Sequence, residues 1–349
     1  MKIMKIAHIV WGLETGGVET MLVNIINEQV KTEEVALFII NKLYYPPLIS
    51  QLSSKCRVFC FGRKVGSHNP FPLLKFNIQL RLYHPDIVHL HTYKQSDIIW
   101  GHYNMVRTIH STINKSREYP HMKALFAISE SVKEVVLQQG FNSIVIENGV
   151  PFSRIRKKNE YSVKNGFYQL IQVSRLDVSS KGQDLLVEAA NILVNQRSLT
   201  NFRIFFIGEG HSRAMLEEMI QRYYLQDYFY FEGQKPQDWL REHLADYDCF
   251  IQPSRYEGFG LTVAEAMAAR LPVLVSNIEG PMEIIDNGKV GMCFEAGNIT
   301  DLADKIEKIL RGKYDYSMID KASSRVKSKY DVSITAQRYI REYKNVIKK

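Results

Sequence analysis

Cysteine is scarce in this chain: Cys56, Cys60, Cys249 and Cys293 are the only four in 349 residues, and none stands at the spacing of a metal-ligand motif. That excludes a disulfide scaffold or a zinc module, and apolar, strand-like surroundings assign all four as reduced core thiols. No apolar run reaches the roughly 18 residues needed to span a bilayer. No signal peptide is expected, since Met1-Lys2-Ile3-Met4-Lys5 leads straight into a β-rich run, and the reading is a cytoplasmic protein. Internal repeats and low-complexity tracts are missing. So is the dinucleotide fingerprint, because Gly12, Gly16 and Gly17 do not fit Gly-x-Gly-x-x-Gly. Neither a nucleic-acid-binding module nor a clustered basic helix accompanies the positive charge, so nucleic acid is not an expected partner.

What is present is a chain of ordinary globular composition, 45% hydrophobic and 23% charged, long enough for two α/β domains. Its net charge of +8 is uneven: residues 1 to 150 hold 16 Lys and Arg against 11 Asp and Glu, leaving 29 against 26 beyond. The basic first half is either an ordinary solvated surface or one that attracts the phosphates of a lipid-linked acceptor or an inner membrane leaflet. Strands are expected at 3–10, 35–41, 57–61, 87–90, 106–110, 125–128 and 144–146, with helices at 17–30 and at 129–139, where Ser129 is the cap. Residues 151–166 lose both periods and turn basic, which predicts a linker. A second alternation follows, with strands at 168–173, 202–208, 228–231, 249–252, 273–276 and 291–294 and helices at 182–195 and 212–222. The expected plan is an α/β protein of two Rossmann-like domains, 1–150 and 167–330, and a tail, 331–349, whose apolar residues have helical spacing.

Chemistry concentrates in Pro253-Ser254-Arg255-Tyr256-Glu257-Gly258-Phe259-Gly260-Leu261-Thr262-Val263-Ala264-Glu265, which reads as buried strand, glycine loop and helix start. Thr262 followed by Glu265 is a capping-box signature, so Glu265 is either a cap partner or a ligand. Glu257 lies in the loop before the helix, where no cap partner is expected. The backbone N–H groups of Gly258, Phe259, Gly260 and Leu261 suit phosphate or sugar oxygens, and carboxylates suit hydroxyl donors. Gly16 and Gly17 open the first helix, as a structural turn or as amides facing a ligand. Asp246-Tyr247-Asp248 precedes a strand as a helix end, and no metal is assigned to it.

In chain order, Gly16-Gly17-Val18-Glu19-Thr20, His110, Asn148-Gly149-Val150, Ser174-Arg175-Leu176 with Lys181-Gly182, Gly208-Glu209-Gly210, the Glu257 and Glu265 pair, and Pro281-Met282-Glu283 resemble the retaining nucleotide-sugar glycosyltransferases of family 4. The resemblance implies the GT-B fold, two Rossmann-like domains facing across a cleft, with the last helix crossing back to the first domain; a helix on the surface of the second domain is the alternative. It also implies hexosyl transfer with retained configuration, needing no cofactor or metal, from a UDP- or GDP-linked sugar to a glycan or polyprenyl-linked acceptor in bacterial capsule, exopolysaccharide or lipopolysaccharide synthesis. By resemblance His110 and Glu257 are catalytic, Arg175 and Lys181 neutralise the diphosphate, Glu265 holds the ribose, and Gly16, Gly17 and Gly258 to Leu261 line the donor. His89 and His91 fill core. Two departures stand out: Glu279 replaces part of a glycine pair, and the segment from Asn114 to His121 is short. A nucleotide-sugar epimerase and a silent binding subunit remain the other readings of the same fold.

Overall fold

Short β-rich runs joined by amphipathic stretches can bury both faces only as parallel strands with crossover helices, and the chain builds that arrangement twice. The computed structural model describes residues 3–14, 16–111, 117–161, 163 and 166–348. The chain divides into two units, Met1–Pro151 with Tyr330–Lys349, and Phe152–Lys329.

The first unit runs β1 (Lys5–Val10), α1 (Gly17–Gln29), β2 (Glu34–Asn41), α2 (Pro46–Ile49), β3 (Arg57–Arg63), α3 (Phe71–Tyr83), β4 (Ile87–Leu90), β5 (Met105–Ile109), β6 (Ala124–Ala127), α4 (Glu130–Gln138) and β7 (Ile144–Val145). All seven strands are parallel in the order β3-β2-β1-β4-β5-β6-β7, so the direction of winding reverses between β1 and β4. Ser129 caps α4 by accepting from the Val132 amide at 3.3 Å.

The second unit runs β8 (Tyr168–Val173), α5 (Val178–Lys181), α6 (Gln183–Asn191), β9 (Phe202–Ile207), α7 (Arg213–Arg222), β10 (Phe229–Gly233), α8 (Gln237–His243), β11 (Cys249–Gln252), α9 (Leu261–Ala268), β12 (Val273–Ser276), α10 (Glu279–Ile284), β13 (Met292–Phe294), α11 (Ile299–Leu310) and α12 (Ser317–Lys329). Its parallel order β10-β9-β8-β11-β12-β13 reverses between β8 and β11. The final helix, α13 (Val332–Lys348), belongs to the first unit.

The tail helix is held there by specific contacts. Tyr343 OH bonds His89 Nδ1 at 2.6 Å, Tyr339 OH bonds Thr108 Oγ1 at 2.9 Å, and Thr335 Oγ1 donates to Glu147 O at 3.0 Å. Gly149 explains the Asn148-Gly149-Val150 word: a Cβ there would lie 2.6 Å from Val332 Cα, inside the start of α13.

Several expectations need correction. Residues 151–166 are not a free linker. Lys158 is buried, its Nζ donating to Tyr247 O at 2.7 Å and to Asp248 at 3.0 Å, and the Arg156 amide donates to Arg241 O at 2.9 Å. Two of the basic residues that made the segment read as a linker are what tie it to the second unit; its Ser162, Lys164 and Asn165 lie outside the described residues. Nor are all four thiols core residues: Cys60 is exposed because β3 is an edge strand, and Cys293 is half-buried. The helix expected to 195 gives way to a π-helical turn at Ile192–Gln196. Helices α3, α8, α10, α11 and α12, and the single turns α2 and α5, were not expected. In α3 the apolar residues run all round the helix, so no 3.6-residue stripe marks it.

Because the Gly149 contact is with backbone, Gly149→Ala is expected to cost about 1–3 kcal/mol. Gly17→Ala, where a Cβ meets nothing within 4 Å, is expected to change stability by less than about 0.5 kcal/mol. Urea unfolding of both variants checks the contrast.

Candidate functional site

In a doubly wound sheet, ligands sit at the carboxyl ends of the strands where winding reverses. In the second unit those ends are Ser174-Arg175-Leu176 after β8 and Pro253 to Gly260 after β11. Glycines let the neighbouring loops close onto them. A Cβ on Gly208 would lie 2.1 Å from Ser174 O, and one on Gly210 would lie 2.2 Å from Leu176 O. Gly182, at φ +64, would put a Cβ 2.0 Å from Pro253 O.

That last approach carries Lys181 to Glu257. Lys181 Nζ lies 2.7 Å from Glu257 Oε2, with both side chains about one-fifth exposed. Gln252, buried at the end of β11, donates from Nε2 to the same carboxylate at 3.1 Å and accepts from Thr262 Oγ1 at 3.0 Å. The straps beneath are backbone and ion pairs. The Arg255 and Tyr256 amides donate to Ser180 O, and Arg255 grips Asp184 through two bonds of 2.6 Å. Gln183 Nε2 donates to Ser174 Oγ and Arg175 O, both at 2.9 Å. The Arg175 side chain is largely exposed, its nearest ion pair being Asp177 at 3.5 Å.

The capping box does not form. The N-cap of α9 is Gly260, at φ +98, and no side chain caps the helix. Thr262 is therefore inside the helix with its hydroxyl on Gln252, and Glu265 points elsewhere. Glu265 is buried and accepts from Gln237 Nε2 of α8; burial raises its carboxyl to about 7, while the Arg241 charge and the Gln237 bond pull the other way. Phe259 is buried beside Gly258. Gly280 abuts this loop, since its Cβ would lie 2.7 Å from Glu257 O, and the preceding Glu279 is exposed at the start of α10. Asp246 pairs with Arg156 and His243, and Asp248 with Lys158 and the Gln169 amide.

In the first unit, His110 directly follows β5. Both ring nitrogens are buried with no hydrogen-bond partner among the described residues, and burial lowers its pKa to about 4, helped by the Arg107 charge. Among the described residues that leaves a neutral imidazole whose nitrogens are shielded from water, an arrangement that costs about 1–3 kcal/mol per unpaired group. His91 lies beside it, ring centroids 5.9 Å apart. His8, His89 and His91 offer ligand atoms within 4.8 Å of one another. Their nitrogens are nevertheless committed within the chain. His8 bonds His91 Nε2 at 2.9 Å and Gln29 at 2.7 Å, and His89 bonds Tyr343 at 2.6 Å and Thr108 at 2.8 Å; of the six ring nitrogens, His91 Nδ1 alone has no partner among the described residues. They act as a polar core under α13. Gly16 is the N-cap of α1 and Gly17 its first residue, but the Glu19 carboxylate closes over Gly16, its Oε2 2.3 Å from where a Cβ would be. Thr112 and residues 114 to 116 of the short segment after His110 lie outside the described residues.

Gln252, Gln183 and Thr262 were missed as site residues. Nothing in the sequence marked Gln252 except a polar residue ending an apolar strand.

With a folded pKa near 7 against 4.5, Glu265 keeps a proton that the unfolded chain has lost, so its burial destabilises the fold increasingly from about pH 4.5 to 7 and constantly above. Glu265→Gln is expected to raise stability at pH 8 by up to about 3 kcal/mol and to leave it unchanged near pH 4. Thermal unfolding at both pH values checks this.

Comparison with known proteins agrees with the geometry. The family model "Glycosyltransferase Family 4" matches residues 15–154, and "Glycosyl transferases group 1" matches residues 153–326. The chain is 33% identical over 139 residues to the poly(ribitol-phosphate) alpha-N-acetylglucosaminyltransferase of Staphylococcus aureus (strain COL), covering 40% of this chain and 27% of that one. It is 27% identical over 207 residues to the capsular polysaccharide biosynthesis glycosyltransferase CapM of Staphylococcus aureus, covering 53% and 52%. The chain thus spans about half, or less, of the length of these curated relatives. Among solved structures, a glycosyltransferase from Rickettsia africae ESF-5 superposes with a TM-score of 0.82 at 20% identity over 100% of both chains. Anabaena Alr3699/HepE in complex with UDP-glucose superposes with 0.81 at 19%, over 98% of this chain and 100% of that one. At such identities these likenesses establish the fold, the two-domain GT-B architecture. The chain belongs to the glycosyltransferases, with a family 4 first unit and a group 1 second unit.

Proposed function

We propose that the protein transfers a hexosyl unit from a nucleotide sugar to a glycan or lipid-linked acceptor, with retained anomeric configuration, in bacterial surface polysaccharide synthesis. The observation that carries this reading is the Lys181 and Glu257 pair at the β8/β11 reversal, with Arg175 on the adjoining loop. Without ligand, the cation and the carboxylate satisfy each other. A nucleotide sugar brings partners for both: the diphosphate takes Lys181 and Arg175, and the sugar hydroxyls take the released Glu257, which Gln252 keeps in place. The exchange conserves charge-assisted bonds, so donor binding need not leave a buried charge unpaired.

As the bond to the sugar breaks, negative charge grows on the diphosphate, and fixed cations there lower the barrier. No protein carboxylate need attack the sugar. The acceptor hydroxyl enters on the face the diphosphate leaves, and its proton passes to the departing phosphate oxygen. His110, neutral at physiological pH, is suited to hydrogen-bond the sugar. Glu265, largely stripped of water, accepts from the ribose hydroxyls. The reading supplies positive charge from side chains and uses no metal. Relatives named for transfer to poly(ribitol-phosphate) and for capsular polysaccharide biosynthesis support a surface-polymer acceptor. In the same reading the protein works in the cytoplasm, at the inner face of the cell membrane.

Thermal-shift measurements against a panel of UDP- and GDP-sugars test it. A donor at 100 times its dissociation constant is expected to stabilise the protein by about 2.7 kcal/mol. Lys181→Ala and Arg175→Ala are expected to abolish the shift. Glu257→Gln is expected to reduce transfer at least 100-fold, roughly the effect of losing a transition-state contact. Wild-type shifts in both basic variants, or inversion of the anomeric centre by NMR of the product, would refute the reading.

A further inference from the structure

Helix α3 presents an apolar ridge to solvent. Phe71, Leu74, Ile78 and Leu82 are 66, 39, 51 and 74% exposed. Their spacing places them on one side of the helix, while Phe76, Leu80 and Tyr83 on the opposite side are buried against the sheet. A helix packed in this way normally turns a polar face outward. Here the outer face is apolar, and the basic side chains of Lys75 and Arg81, both exposed, flank it. Trp100, 54% exposed, is tied to the helix through its amide, which donates to Asn77 Oδ1 at 2.7 Å.

The sequence running through this ridge carries charge of one sign, and the exposed Asp97, in the turn that Asn77 bonds, is an acid close to it in the fold. Between Glu34 and Asp86 the sequence contains no acidic residue, yet it holds Lys42, Lys55, Arg57, Arg63, Lys64, Lys75 and Arg81. The two bounding acids are already engaged, Asp86 accepting from the Lys5 amide at 2.8 Å and Glu34 lying 3.9 Å from Lys5 Nζ.

We propose that α3 is a membrane-docking face that lies flat on an anionic lipid bilayer, with Phe71, Ile78 and Leu82 in the acyl boundary and Lys75 and Arg81 at the headgroups. An amphipathic helix parallel to the surface needs this combination of an apolar ridge and flanking cations. Trp100 supplies an aromatic of the kind favoured at the interface. An anionic leaflet complements a surface stretch that has seven cations and no acid, whereas a second copy of the chain would set those cations against each other. The inference gives a location to the membrane contact of the proposed function, and rests on that reading only for the purpose of the contact.

Co-sedimentation of the full chain with phosphatidylcholine vesicles, with and without phosphatidylglycerol, tests it. Binding is expected only with phosphatidylglycerol and is expected to weaken with salt. Lys75→Gln with Arg81→Gln is expected to lower partition roughly 25-fold, from roughly fivefold per cation. Ile78→Glu with Leu82→Glu is expected to abolish binding, and Lys308→Glu with Lys313→Glu, exposed in the second unit, to leave it close to wild type. All variants are expected to keep their unfolding midpoint and donor-induced thermal shift, so a failed donor site and a failed docking face give different results. Wild-type partition by the Ile78 and Leu82 variant would overturn the proposal. So would a wild-type dimer, seen by light scattering, that this variant dissociates, since the ridge would then be an interface between copies.

Discussion

Gly182 and the carbonyl of Pro253 approach each other so closely that no side chain fits between them, and the chemistry of the second unit depends on that approach. It sets the loop after β8 against the loop after β11, strands that are neighbours only because winding reverses there. Lys181 and Glu257, 76 positions apart in sequence, thereby share a hydrogen bond. Arg255 reinforces the closure through Asp184 and the Ser180 carbonyl, and Gln252 holds the carboxylate from below. The same device recurs at Gly208 and Gly210, which fold Gly208-Glu209-Gly210 onto Ser174 to Leu176. Three glycines with different neighbours thus converge on one set of strand ends.

Two titratable groups sit in surroundings that disfavour their charge. Glu265, on the buried side of α9, is raised toward neutrality, and His110 is lowered into neutrality after β5. Neither arrangement helps the fold: one burdens it with a desolvated carboxyl, the other with two ring nitrogens that find no partner among the described residues. Groups perturbed in this way cluster at functional sites, which makes both of them candidates for one. His8, His89 and His91 are different, because their bonds to Gln29, Thr108 and Tyr343 turn buried imidazoles into part of the seat for α13.

Strand positions were legible because parallel strands covered on both faces are short apolar runs, and 87–90, 168–173, 249–252 and 273–276 fall where those runs predict. Ser129 was legible as a cap because a serine before an amphipathic run has a local role. Thr262 and Glu265 fit an equally local pattern and failed it, because a left-handed Gly260 starts the helix two residues earlier than the capping box requires. The apparent linker failed for the converse reason: whether a basic residue such as Lys158 is solvated depends on Asp248 and Tyr247, about 90 residues away.

By itself the sequence determined the α/β class, the two rounds of strand and helix, and which residue types are chemically able to meet a diphosphate or a carbohydrate, since these follow from short-range period and side-chain chemistry. Only the tertiary structure decided that Lys181 binds Glu257, that Gln252 supports it, that Gly149 is the seat of α13, and that the outer face of α3 stays uncovered. Each of these depends on which distant backbone passes nearby, and strand order, which local propensity does not encode, sets that.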